Sequence, residues 1–135
     1  MDDKPSVAFK TKRNSSLIKI IDDLKDNLVD GAVSSGNTGA LLASSLLILG
    51  KINGIKRPAL APFIPIEKNG FILCDAGANS KVKAEHLVQF ALMSSAYLEH
   101  LGFNKSPRIG LLNIGSEENK GNDITIEAYP LLKKH

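Results

Sequence analysis

Helix-like and strand-like apolar patterns alternate along this chain of 135 residues, and the alternation restricts its fold more than any other feature. Helical spacing occurs in residues 15–27, with Asn27 as the expected end, and in residues 40–49, which Gly50 closes. A longer helical segment runs from about residue 83 to residue 102. The helix at 40–49 is apolar on nearly all sides, which predicts that it is buried.

Short apolar segments between these helices have the character of strands. They are residues 31–34, 59–66, 71–75 and 108–114. Glu67-Lys68-Asn69-Gly70 separates the second segment from the third, and its Asn-Gly pair predicts a hairpin. A last amphipathic helix is expected from Asp123, with an interruption at Pro130. The order of elements predicts a single α/β domain over residues 1–135, with a mostly parallel sheet and one antiparallel excursion.

Composition excludes several classes of protein. Hydrophobic residues make up 43% of the chain, enough for a core, and the net charge of +3 is mild. Basic residues form no stripe with interleaved aromatics, so a nucleic-acid partner is not expected. The single cysteine, Cys74, excludes an internal disulfide and favours a reducing cytoplasm. No apolar run approaches the roughly 20 residues of a membrane-spanning helix, and no signal peptide is visible, so a soluble protein is expected.

Three polar loops follow predicted strands and precede helices, at residues 34–39, 75–83 and 113–122. Ligands of open α/β sheets collect at the carboxyl ends of strands, and the N–H groups at a helix start favour an anion. The residues alone leave two interpretations open. The loops are a phosphate cradle, or they are helix caps and turns with no ligand.

Individual residues in these loops are candidates for both roles. Gly36 and Gly39 permit close approach of the backbone to a ligand, and Asn37 and Thr38 are donors or helix caps. Asp75 is either a capping acid at a strand end or a base.

Elsewhere in the loops and helices, Lys83 is a cation at a helix start, where the dipole prefers anions, and so hints at an anionic partner. A charged loop such as the one after Asn113 is usually exposed to solvent and has no ligand. His86 is expected at the surface or in a helix cap, and Cys74 as a small packed hydrophobe.

Read together, the loops resemble the bacterial phosphate acyltransferase family. The resemblance covers nearly the whole chain in order, and the part of the family that it matches is the central segment of a longer chain. The matching stretches are KRNSSL (12–17), SSGNTGALLASSLLILG (34–50), RPALA (57–61), DAGAN (75–79), KAEHLVQFALM (83–93) and PRIGLLNIGSEENKGN (107–122). This chain departs from the family pattern where it has Lys81 in place of an acid, Ala84 in place of proline and Ser94 in place of glycine.

The resemblance implies a doubly wound α/β fold like that of isocitrate dehydrogenases and phosphate acetyltransferases, truncated here to its central part. It implies transfer of a fatty acyl group from acyl carrier protein to inorganic phosphate, which gives acyl-phosphate for phospholipid synthesis. It further implies a cytoplasmic homodimer, peripheral at the inner face of the membrane. There a glycerol-3-phosphate acyltransferase takes the product onward. No metal or organic cofactor is expected.

The resemblance also assigns residue roles. Lys83, Asn122 and Asp75 are the predicted catalytic residues. The predicted phosphate-binding and substrate-binding residues are Gly36, Asn37, Thr38, Gly39, Asn79, Asn113, Lys120 and Gly121. Two alternatives are a related enzyme, of the phosphotransacetylase type or a glycine-reductase subunit, and an inactive truncated fragment that only binds a partner.

Overall fold

The structure is a computed structural model that describes residues 11–67 and 69–135. In chain order the described residues form helix α1 (Ser16–Lys25), helix α2 (Thr38–Ile48), strands β1 (Phe63–Ile66) and β2 (Asn69–Ile72), helix α3 (Ala84–His100) and helix α4 (Asp123–Leu132). The chain divides into two compact units, one ending at Pro58 and the other running from Ala59 to His135.

In the first unit, helix α1 packs against helix α2. Ile18 and Ile21 of α1 are buried, each with 2% of its surface exposed. Asn27 has a φ of 55°, which turns the chain out of the helix at the predicted residue. The predicted helix end at residue 27 is therefore confirmed.

Helix α2 differs from its prediction in burial. Its position agrees with the prediction within two residues, and Gly50 follows with a φ of 83°. Its buried residue is Ser44, whereas Leu46 and Leu47 are exposed by 36% and 58%. The prediction of a buried helix is wrong. Within this unit α2 packs against α1, and this contact leaves the Leu46 and Leu47 side chains exposed.

The second unit contains the predicted hairpin. Strands β1 and β2 are antiparallel, with Phe63 opposite Ile72 and Ile66 opposite Asn69. Asn69 and Gly70 belong to β2 rather than to the turn, and Lys68 of the predicted turn lies outside the described residues. A Cβ at Gly70 would collide with the Phe63 ring, so the glycine serves cross-strand packing.

The core of the second unit lies between helices α3 and α4, which pack together. Ala84, Val88 and Phe90 of α3 and Ala128 of α4 are buried. Helix α4 continues through Pro130 to Leu132, so the predicted interruption is wrong. A proline removes one backbone hydrogen bond from a helix, and Pro130 lies two residues before the end of α4, so little of the helix follows it.

The predicted strands at 31–34 and 108–114 are not formed in the described part of the chain. No backbone hydrogen bond joins either segment to another described residue. A strand needs a neighbour to pair with, and each segment lacks one here. The α/β character is confirmed, but the two-stranded sheet is antiparallel, and a doubly wound parallel sheet is not observed among the described residues. None of the described helices is long and apolar enough to cross a bilayer.

Candidate functional site

The loop before α2 is organised as a helix cap. The Asn37 side chain accepts a hydrogen bond from the Ala40 N–H at 3.1 Å, which satisfies one of the free donors at the helix start. Gly36 has a φ of 100°, and its N–H donates to the Ser34 hydroxyl at 3.2 Å. Thr38 and Gly39 are the first residues of the helix. This loop therefore presents the N–H groups of a helix start.

Asp75 organises the second loop. Its Oδ1 accepts hydrogen bonds from the N–H groups of Leu60 at 2.7 Å and Ala78 at 3.2 Å. Its Oδ2 accepts from the N–H of Asn79 at 2.7 Å and from the Asn79 Nδ2 at 3.1 Å. These four donors match the acceptor capacity of a carboxylate. The carboxylate thus joins the start of the hairpin segment to the loop that follows it.

Cys74 precedes this carboxylate and is half-buried. Burial raises the pKa of the Cys74 thiol, the nearby Ser94 hydroxyl opposes the rise, and the charge of Asp75 adds to it. The thiol is therefore protonated at neutral pH, which suits packing rather than nucleophilic attack. Ser94 is itself buried, and its hydroxyl finds no hydrogen-bond partner of normal geometry among the described residues.

Lys83 is the residue that caps helix α3, with its amine exposed. Within residues 11–67 and 69–135, that amine makes no hydrogen bond or ion pair. Its backbone N–H donates to Nδ1 of His86 at 3.0 Å. His86 is 6% exposed, so it is a buried capping residue rather than a surface one.

The third loop is closed by Asn113. Its Nδ2 donates to the carbonyl oxygen of Lys120 at 2.7 Å, and its Oδ1 accepts from the N–H of Ile114 at 2.9 Å. Gly121 has a φ of 108°, and a Cβ there would collide with Asn113 and with the Thr125 hydroxyl. Only glycine fits this position without displacing the loop.

Asn122 caps helix α4. Its Oδ1 accepts a hydrogen bond from the Thr125 N–H at 2.9 Å, and the Thr125 hydroxyl donates back to the Asn122 carbonyl at 2.9 Å. Within the described residues, the NH₂ of Asn122 bonds to no acceptor. Amide donors and helix N–H groups therefore meet at the same end of the helix.

An open cavity of about 460 Å³ lies at this helix start. Its lining residues are Leu112, Asn113, Ile114, Gly121, Asn122 and Thr125. The Asn122 amide and the first N–H groups of α4 provide polar donors, and Leu112 and Ile114 provide apolar surface. Three of the predicted binding or catalytic residues, Asn113, Gly121 and Asn122, are thus brought together.

Lys120 lines a smaller neighbouring cavity of about 130 Å³ together with Glu117 and Glu118. Glu118 accepts a hydrogen bond from Lys133 at 2.8 Å, and this contact lowers the pKa of the exposed Glu118 carboxyl. The Glu117 and Glu118 carboxylates thus lie in the same cavity as the Lys120 amine. Attraction of an anion by Lys120 stays a prediction.

The other predicted site residues lie outside both cavities. Asp75 and Asn79 are bonded to each other, and Lys83 stands at the start of α3. The loop with Asn37 belongs to the first unit, and its convergence with the others stays a prediction. The sequence did not single out Thr125, which follows Asn122 at the spacing typical of a helix cap.

Comparison with known proteins identifies the family. A family model described as "Fatty acid synthesis protein" matches residues 1–135. The chain belongs to the phosphate acyltransferase family. It is 47% identical over 132 residues to the phosphate acyltransferase of Halalkalibacterium halodurans, which covers 97% of this chain and 39% of that protein.

Two further relatives carry the same name. The phosphate acyltransferase of Dictyoglomus thermophilum is 52% identical over 136 residues, covering 100% of this chain and 40% of the relative. That of Bacillus subtilis is 46% identical over 133 residues, covering 98% and 40%. The chain spans about 40% of the length of the curated relatives it matches.

Proposed function

We propose that the protein transfers a fatty acyl group from acyl carrier protein to inorganic phosphate and so makes an acyl-phosphate for phospholipid synthesis. Family membership and the name of the relatives support acyl transfer that involves phosphate. The observation that carries the proposal is the cavity at the start of α4, where Asn113, Gly121 and Asn122 meet. Since the chain spans about 40% of its relatives, the activity is that of the full-length protein.

In the proposed reaction a phosphate oxygen attacks the thioester carbonyl carbon, the carbon–sulfur bond breaks, and the carrier leaves as its thiol. Positioning and charge account for most of the catalysis in such a transfer. The Asn122 NH₂ and the first N–H groups of α4 hold phosphate oxygens. Lys83 steadies the phosphate or the developing oxyanion, a role that needs a fixed donor.

The proposal gives Asp75 a supporting role. Its carboxylate already accepts four hydrogen bonds, so it shapes the loop rather than removing a proton. The loop from Gly36 to Gly39 presents the N–H groups of its own helix start, and the proposal gives them the role of binding an anion. Homodimerisation, peripheral attachment at the inner face of the membrane and delivery of product to a glycerol-3-phosphate acyltransferase complete the proposed setting.

Two substitutions of Asn122 separate helix capping from phosphate binding. Asn122→Asp keeps an oxygen that caps the helix but places a negative charge where phosphate binds. In the full-length protein we expect about a 100-fold or larger fall in kcat/KM for phosphate, comparable to the loss of one oxyanion donor, with no fall in the free energy of unfolding. Asn122→Ser keeps the cap, removes the amide donor and gives a smaller loss. Normal phosphate kinetics in both variants would contradict the proposal.

Lys83→Met removes the second proposed donor, and Lys81→Met is its matched control two residues away. Formation of acyl-phosphate from acyl carrier protein and phosphate should fall sharply in the first variant only. Equal activity in both variants would end the assignment of Lys83. Coenzyme A thioesters tested as donors in place of the carrier protein distinguish a phosphotransacetylase-type enzyme from the proposed one.

A further inference from the structure

His86 is a buried imidazole whose Nδ1 accepts a backbone hydrogen bond. It is the third residue of α3, and only 6% of its surface is exposed. Its Nδ1 accepts the Lys83 backbone N–H at 3.0 Å. A backbone N–H only donates, so Nδ1 accepts this bond through its lone pair, and the ring proton belongs on Nε2. Glu85 Oε1 lies 3.9 Å from Nε2, on the side where a carboxylate favours that proton.

The same two residues are joined in the opposite direction as well. The His86 N–H donates to the Lys83 carbonyl at 2.9 Å, so each residue donates its backbone N–H to the other. The bond from the Lys83 N–H to Nδ1 is one half of a capping box, in which the side chain of the third helical residue accepts from the backbone N–H of the capping residue. A lysine side chain has no acceptor, so the Lys83 side chain cannot close the other half.

The conformation of Lys83 therefore depends on His86. Lys83 has φ −114° and ψ 163°, and its N–H has the imidazole as acceptor. The Lys83 amine itself makes no bond within the described residues that would hold it in place. The cap holds the Lys83 backbone and so sets the direction in which its side chain leaves the helix start.

We infer that His86 is a positioning residue that aims Lys83 through the Nδ1 hydrogen bond. The inference rests on the proposed function, in which Lys83 steadies phosphate or the oxyanion. A displacement of about 1 Å at a catalytic group lowers the rate by about 100-fold. A helix start that loses its cap permits such a displacement without unfolding the protein.

Two variants of the full-length protein distinguish the acceptor from the volume of the ring. His86→Gln keeps an acceptor at the position where capping boxes carry Gln or Glu. His86→Leu keeps apolar bulk and removes the acceptor. His100→Leu, an exposed change in the last turn of the same helix, is the control for loss of a histidine.

We expect His86→Gln to keep kcat/KM for phosphate within about 3-fold of the native protein and His86→Leu to lower it by about 30-fold or more. Exchange of the Lys83 amide hydrogen should become at least about 10-fold faster in His86→Leu, because its acceptor is lost. Nitrogen chemical shifts of His86 in the native protein should be those of the Nε2–H tautomer. His100→Leu should change none of these quantities.

Three results would overturn the inference. Equal losses of activity in His86→Gln and His86→Leu show that ring volume matters rather than the acceptor. An Nδ1–H tautomer, or unchanged Lys83 amide exchange in His86→Leu, shows that the hydrogen bond is not made. If Lys83→Met lowers turnover while His86→Leu does not, the inference fails and the proposed function stands; if Lys83→Met has no effect, the proposed function itself fails.

Discussion

Asp75→Asn tests how far one carboxylate determines the arrangement of its loop. An asparagine has the same shape, but it offers one oxygen where the carboxylate offers two. If that oxygen keeps the Leu60 and Ala78 N–H groups, an NH₂ group faces the two donors of Asn79. Two hydrogen bonds are lost, and the other two no longer have a charged acceptor.

The expected cost follows from these bonds. Hydrogen bonds to a charged group contribute about 1.5 to 3 kcal/mol each, and the low end applies because Asp75 is only half-buried. Two lost hydrogen bonds cost about 3 kcal/mol. Water recovers part of this cost by bonding to the released Asn79 donors, but the two hydrogen bonds that remain become weaker, and the two effects offset each other. We expect Asp75→Asn to lower the free energy of unfolding by about 3 kcal/mol.

Urea unfolding of the full-length protein measures this change, and hydrogen exchange locates it. The Leu60, Ala78 and Asn79 amide hydrogens should exchange faster in the variant, because their acceptor is lost or weakened. Asp30→Asn, which removes the same charge from an exposed loop position, is the control. If Asp75→Asn unfolds within about 0.5 kcal/mol of the native protein and these amides exchange as before, the carboxylate does not hold the loop and the reasoning is refuted.

Two further substitutions test single positions. Gly121→Ala should lower the free energy of unfolding by about 2 kcal/mol or more and weaken phosphate binding, because φ is 108° and the loop wall blocks a Cβ. Gly110→Ala is the control, since a Cβ there meets open space and should have little effect. Equal urea midpoints for the two variants would contradict this prediction. Ser94→Ala should raise the free energy of unfolding by about 1 kcal/mol, because a buried hydroxyl without a normal partner is removed. It should also slow alkylation of Cys74 near pH 8, since the hydroxyl opposes the rise in the thiol pKa, and faster alkylation would show that it does not.

The helices could be predicted from the sequence because their signals are local. Spacing of apolar residues placed α1, α2 and α3 within about two residues, and their ends coincide with residues of positive φ. These are Asn27, Gly50 and Gly102, with φ of 55°, 83° and 74°. Each of these residues determines the backbone at its own position, so no knowledge of the rest of the molecule was needed.

Strands could not be predicted with the same success. Residues 108–114 have an apolar pattern, and Leu112 and Ile114 are exposed by 84% and 86%. Their sequence indicates an extended apolar segment but does not contain the neighbour that would pair with it. The hairpin was predictable because its two strands are adjacent in the chain, so the partner of each is visible in the sequence.

The role of His86 was only partly predictable. A histidine near a helix start was expected either at the surface or in a cap, and it is a buried cap. Capping boxes usually have Ser or Thr followed three residues later by Glu or Gln. Here Lys83 and His86 take those places, so the pattern was hidden by its residue types.

The two interpretations of the loops, helix cap or anion site, are not exclusive at Asn37 and Asn122. In each amide the oxygen accepts an N–H of the following helix, which determines which way the planar group faces. The NH₂ must then face away from that N–H, and within the described chain it has no acceptor. Asn79 and Asn113 differ, since their NH₂ groups donate to Asp75 and to a backbone carbonyl. Capping therefore determines the direction of the NH₂ group in these two amides, while the other two amides hold their loops in shape. Donation from the Asn37 and Asn122 NH₂ groups to an anion stays a prediction.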